Sequence, residues 1–182
     1  GWIEPTLRQA SSKKGITFDF IIEGGEKNVY ADKQRIAQII MNLASNAVKN
    51  TDSGRVHVEM KYEGESLLVT VRDTGSGIPE EKQSEIFSPF SQLVHSGSGP
   101  ESGLGIGLSI VKSITDLMNG TVRLESRVEK GTTFYVSLPV ESAEEATESN
   151  TVSYQTENRA QLQQWTGKRV LIAEDEAINR LY

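Results

Sequence analysis

The sequence predicts an α/β domain of the α+β kind, in which helices alternate with antiparallel strand pairs. Three observations carry this. Residues 33–50 place Ile36, Ile39, Ile40, Leu43 and Ala47 on one face at the helical period. Residues 55–71 alternate instead: Val56, Val58, Met60 and Tyr62 face one way, Gly64 turns the chain, and Leu67, Val69 and Val71 return. Residues 106–140 then repeat the theme, a helix followed by a strand pair.

Taken in order, residues 3–14 read as a short amphipathic helix stopped by Gly15, and residues 16–22 as a strand broken at Glu23-Gly24-Gly25. Residues 28–31 suggest a second short strand. Asp32 is a good N-cap for the long helix, because its carboxylate can accept the free N–H groups of the first turn. Residues 80–87 predict another short helix. Residues 88–102, rich in Ser, Gly and Pro without periodicity, predict a mobile loop. Residues 106–118 predict a helix stopped by Asn119-Gly120. Residues 121–128 and 132–140 predict a last strand pair around Glu129-Lys130-Gly131. From residue 141 the composition turns to Glu, Ser, Thr, Gln and Asn, which predicts a solvated linker over 141–167.

Composition excludes several classes. The apolar content of 36% can build a core, and 182 residues allow one sizeable domain plus extras. A net charge of -6 argues against nucleic acid as a partner, since such proteins carry a basic face. The chain has no run of 18 apolar residues, the minimum for a membrane-spanning helix. No signal-peptide pattern is read at its start, and without cysteine no disulfide framework or thiolate metal site is expected. This fits a cytoplasmic domain, whether or not a parent protein is anchored in a membrane. The chain starts without Met and stops inside a new pattern, so a fragment of a longer protein is expected.

Four motifs carry chemistry. In NLASNAVKNT (residues 42–51), Asn42, Asn46 and Lys49 form a polar stripe beside the apolar one. Amide oxygens and a cation suit Mg²⁺ and phosphates, although a solvated helix flank is the plainer reading. In DTGSGIP (residues 73–79), Asp73 ends an apolar strand and enters a glycine turn. A buried carboxylate there can accept the amino group of adenine, and an ordinary Asp-Gly turn is the plainer reading. In GLGIGLSI (residues 103–110), glycines lead into a helix whose free N–H groups can hold phosphates. A flexible loop and helix start explain the same residues. GTTF (residues 131–134) closes the set.

All four in this order, over residues 3–139, resemble the catalytic ATP-binding domain of sensor histidine kinases. The stretch Ile86-Phe87-Ser88-Pro89-Phe90-Ser91-Gln92 resembles that family's lid entry, I-F-x-P-F-x-Q. The resemblance implies the Bergerat-type ATP-binding fold, shared with gyrase and mismatch-repair ATPases. That fold is a two-layer sandwich: a mixed, mostly antiparallel sheet with helices on one face, and ATP between helices and lid. It implies Asn46 as the Mg²⁺ ligand, with Asn42 and Lys49 near the phosphates. Asp73 would bind the adenine amino group, with Thr132 beside it through water. Gly75, Gly77 and Ile78 would shape the adenine pocket. Gly103, Leu104, Gly105, Gly107 and Leu108 would carry the lid and the phosphate-binding helix start. Hydrolytic relatives place Glu four residues before the metal-binding Asn, as a general base for water. Asn42 stands there instead, so ATP is expected to be held for transfer. One departure concerns the lid: between Lys82 and Lys112 there is no Lys or Arg, and His95 is its only candidate cation.

The family's acceptor His lies on a helical dimerisation hairpin, and neither His57 nor His95 resembles it. The expected partner is therefore a histidine-containing dimerisation domain of the same parent protein, itself a homodimer. Residues 168–180, KRVLIAEDEAINR, resemble the opening of a response-regulator receiver domain, with Glu174 and Asp175 as its acidic pair. The order implies a hybrid histidine kinase: catalytic domain 1–140, linker 141–167, start of a receiver 168–182. Such a fragment is expected to be inactive alone. An anti-sigma-type serine kinase and a nucleotide-binding docking module without activity are the alternatives.

Overall fold

The computed structural model describes residues 2–23, 29–90 and 105–142. Its elements are α1 (Ile3–Lys14), β1 (Thr17–Glu23), β2 (Val29–Tyr30), α2 (Lys33–Asn50), β3 (Arg55–Glu63), β4 (Ser66–Asp73), α3 (Gly107–Leu117), β5 (Thr121–Arg127), β6 (Gly131–Pro139) and β7 (Glu141–Ser142). Five strands form one sheet in the order β1-β3-β4-β6-β5, and β2 pairs with β7 apart from it. Among the described strands only β1 and β3 run parallel; β3–β4, β4–β6 and β5–β6 are antiparallel. Parallel neighbours need a crossover, and α2 supplies it. The predicted class, a mixed and mostly antiparallel sheet with helices, is therefore the observed one.

The helices share one face of the sheet. α1 packs on β1, α2 on β3 and β4, and α3 on β5, with α2 touching both other helices. The two periodicities explain why. Ile39, Ile40, Leu43 and Ala47 of α2 are buried in one cluster with Val56, Val58, Val69, Val71, Phe134 and Val136 of the strands. Leu43 is fully buried, and truncating such a side chain to Ala costs about 2–5 kcal/mol. Phe87 adds an edge-on contact to Phe134, with ring centroids 6.4 Å apart. On the other face the register lines up Asp19, His57, Arg72, Thr133 and Glu125, a polar row.

Helix ends follow their caps. Asp32 Oδ1 accepts from the backbone N–H groups of Gln34 and Arg35 at 3.0 and 3.1 Å, starting α2 where the sequence predicts. Gly15, at φ 70°, ends α1 and donates to Ser11 and Ser12. The predicted helix at 80–87 does not form. A single 3-10 turn, Glu80–Lys82, is followed by irregular turns with i to i+3 bonds such as Ser88 N–H to Glu85 O. Within the stretch only Ile86 is fully buried, so no apolar stripe stabilises further helical turns. Residues 141 and 142, read as the start of a linker, pair with Tyr30 and Val29. Among the described residues no helix is long and apolar enough to cross a membrane.

Candidate functional site

At the end of β4 the chain buries a carboxylate. Asp73 is 6% exposed. Its Oδ1 accepts from the backbone N–H of Gly75 at 2.9 Å and of Thr132, on β6, at 3.2 Å. No described residue donates to Oδ2. Burial pushes the carboxyl above the ordinary aspartate value of 3.8, and the two backbone N–H groups offset part of that rise. Thr132 is itself buried, and its hydroxyl lies 2.8 Å from Ser126 Oγ on β5. Ser126 Oγ also accepts from Ile78 N–H at 2.8 Å and donates to Gly131 O at 3.1 Å. Gln83 Nε2 donates to Ile78 O at 2.9 Å and to Ser126 O at 3.1 Å. The glycine turn is thus tied on both sides to the β5–β6 hairpin.

Two glycines in that turn are required by space. A Cβ on Gly75 would run into the carbonyl of Asn50, at the end of α2. Gly77 has φ 70°, and a Cβ there would meet the Arg127 carbonyl. The turn is therefore pressed between the long helix and the hairpin, with Asp73 at its root.

The helical stripe lies alongside. Asn42 and Asn46 are half-buried and Lys49 is exposed. Asn42 Nδ2 donates to Gln38 O at 3.0 Å, and a Cβ on Gly107 would sit 3.3 Å from Asn42 Oδ1. This places Asn42 against the first residue of α3. Among the described residues no side chain caps that helix start, and Gly105 before it has φ 68°. Asn46 Oδ1 accepts from Asn50 Nδ2 at 3.1 Å. The Lys49 ammonium meets no carboxylate among the described residues. Those residues contain no group of three His, Cys, Asp or Glu able to hold a metal ion. A cation here would take Asn46 together with phosphate oxygens and water, the habit of Mg²⁺, and the free lone pair of Asn46 Oδ1 fits that.

The model for the "Histidine kinase-, DNA gyrase B-, and HSP90-like ATPase" family matches residues 31–142, which span every one of these groups. The chain belongs to that family. Within it, the similarity points to histidine kinases. The catalytic domain of histidine kinase ThkA superposes with a TM-score of 0.64 at 30% identity, covering 75% of this chain and 87% of that one. Full-length ShkA in complex with AMPPNP gives a TM-score of 0.64 at 30% identity, over 78% of this chain and 30% of that one. The autoinducer 2 sensor kinase/phosphatase LuxQ of Vibrio parahaemolyticus is 38% identical over 151 residues, 78% of this chain. This chain spans 17% of the length of that relative. The molecule is an ATP-binding catalytic domain of the histidine-kinase type.

For this ATPase-family domain, the structure brings Asp73, Gly75, Gly77, Ile78 and Thr132 into one cluster, and sets Asn42 beside Gly107, while Leu108 packs partly buried against the hydrophobic core. Gly103, Leu104, His95 and the residues from 168 onward lie outside the described residues. Sequence reasoning missed Ser126, Gln83 and Asn50. Nothing in the spacing of Ser126 or Gln83 marks them, since their roles arise from pairing of distant segments. Asn50 carried a signal: it lies four residues beyond Asn46, one helical turn along the same stripe.

Proposed function

We propose that this domain holds Mg-ATP and passes its γ-phosphoryl group to a His on a separate helical dimerisation domain of the same parent protein. In this reading Asp73 Oδ2 accepts the adenine amino group and Thr132 acts beside it through water. Asn46 is the Mg²⁺ ligand, and Asn42, Lys49 and the start of α3 from Gly105 to Leu108 lie along the phosphates. A metal held there by Asn46 would supply charge neutralisation on the phosphates during transfer. In the transfer the acceptor imidazole nitrogen bonds the γ-phosphorus, ADP leaves, and the imidazole proton goes to solvent.

The observation that carries the reading is Asp73: a buried carboxylate with one oxygen held by two backbone N–H groups and the other unspent. Transfer rather than hydrolysis is supported by Asn42, whose amide is no base for water and whose Nδ2 is already engaged with Gln38 O. The ThkA and LuxQ similarities support a kinase, and the KRVLIAEDEAINR tail supports a hybrid one, its linker starting beyond the paired residues 141 and 142 and ending at 167. Its partners are then the dimerisation domain, a downstream receiver and a second copy of the parent in a homodimer, working in the cytoplasm. The test is incubation with γ-labelled ATP, with and without a dimerisation domain supplied in trans. Acid-labile, base-stable label on the partner alone is expected. Label on the isolated chain, or acid-stable label on the partner, overturns the reading.

A further inference from the structure

Asn50 stands at the last position of α2, between the two halves of the site. Its Nδ2 donates to the Asn46 backbone carbonyl at 2.8 Å and to Asn46 Oδ1 at 3.1 Å. A backbone carbonyl can only accept, so the Asn50 group on that side is its NH₂. The same NH₂ then requires the oxygen, not the nitrogen, of the Asn46 amide to face it. An Asn amide without such a partner can present either end to a cation, and only the oxygen end binds one. Meanwhile the Asn50 carbonyl accepts from Ser76 N–H at 3.3 Å and fills the space that a side chain on Gly75 would need.

We infer that Asn50 is a positioning residue for metal-assisted nucleotide binding: its NH₂ holds one lone pair of the Asn46 amide oxygen and so fixes that amide with its other lone pair left for the metal. This rests on the reading of Asn46 as the Mg²⁺ ligand. Partners that orient a metal-binding group typically change metal affinity by about 10- to 100-fold when removed. The side chain is half-buried at a helix end, so the near-isosteric Asn50→Leu removes the donor with little change of volume.

The test is calorimetric titration of ATP into wild type, Asn50→Leu, Asn50→Ala and Asn46→Ala, each in saturating Mg²⁺ and in chelator. The quantity read is the ratio of the two affinities, with circular dichroism to verify folding; Asn50→Ala serves if the Leu variant does not fold. The expected result is a ratio about 10-fold smaller in the Asn50 variant, with affinity in chelator near wild type. A wild-type ratio in a folded Asn50 variant overturns the proposal while leaving Asn46 in place. An equal loss in both conditions also overturns it, since the Asn50 side chain would then support the end of α2 without acting on the metal. An unchanged ratio in Asn46→Ala overturns the metal-ligand reading itself.

Discussion

Thr132 donates its backbone N–H to Asp73 Oδ1 at 3.2 Å, joining residues 59 apart in sequence. The bond crosses from β6 to the end of β4 and leaves the second carboxylate oxygen for a ligand. Its energetic setting is a buried charge only partly compensated, so the pH dependence of the domain should report it.

Asp73 titrates above 3.8 when folded, chiefly because of burial. The folded state therefore binds this proton more tightly than the unfolded chain does. Stability associated with it is fully present below 3.8 and is lost as pH rises through the raised folded value. Asp73→Asn keeps an acceptor oxygen for Gly75 and Thr132 but carries no charge. Urea unfolding of both proteins across this range should show the Asn variant gaining relative to wild type as pH rises. A difference independent of pH would contradict the burial argument.

Ser126 should matter for stability although it carries no chemistry. Its hydroxyl serves Ile78 N–H, Gly131 O and the Thr132 hydroxyl together. Ser126→Ala leaves these groups short of a partner, at a cost of about 1–3 kcal/mol. Denaturant titration checks this, and a loss below about 0.5 kcal/mol, within the range of ordinary surface changes, would argue against the network.

Gly75→Ala should be more damaging than a loop substitution usually is. The added methyl meets the Asn50 carbonyl, which is backbone at a helix end and cannot swing away. Overpacking of this kind costs about 1–3 kcal/mol. Thermal unfolding would measure it, and a variant as stable as wild type would mean the turn is looser than described.

How much of this was legible in the sequence depends on the range of the interaction. The long helix, its Asp32 cap and the β3–β4 hairpin were readable because period, cap and turn are local signals. The parallel placement of β1 beside β3 was not, since nothing within residues 17–23 states a partner. The helix expected at 80–87 was misread for a related reason. Its residues are compatible with a helix, but Gln83 hydrogen bonds to Ile78 and Ser126, and too little of the stretch is buried to hold regular turns. At the site, Asp73, the glycines and the asparagines stood out as motifs. Ser126 and Asn50 became visible only through what they touch.

Nucleotide titration reads out whether Asp73 is the base-reading group of the ATP site. Mg-ATP and Mg-GTP are titrated calorimetrically into wild type, and Mg-ATP into Asp73→Asn. A carboxylate matches the adenine amino group and repels the guanine carbonyl, and a hydrogen bond to a charged group contributes about 1.5–3 kcal/mol. ATP is expected to be preferred over GTP by about 10- to 100-fold, with a similar loss of ATP affinity in a folded Asp73→Asn variant. Equal affinity for the two nucleotides, or unchanged ATP binding by Asp73→Asn, would contradict that role.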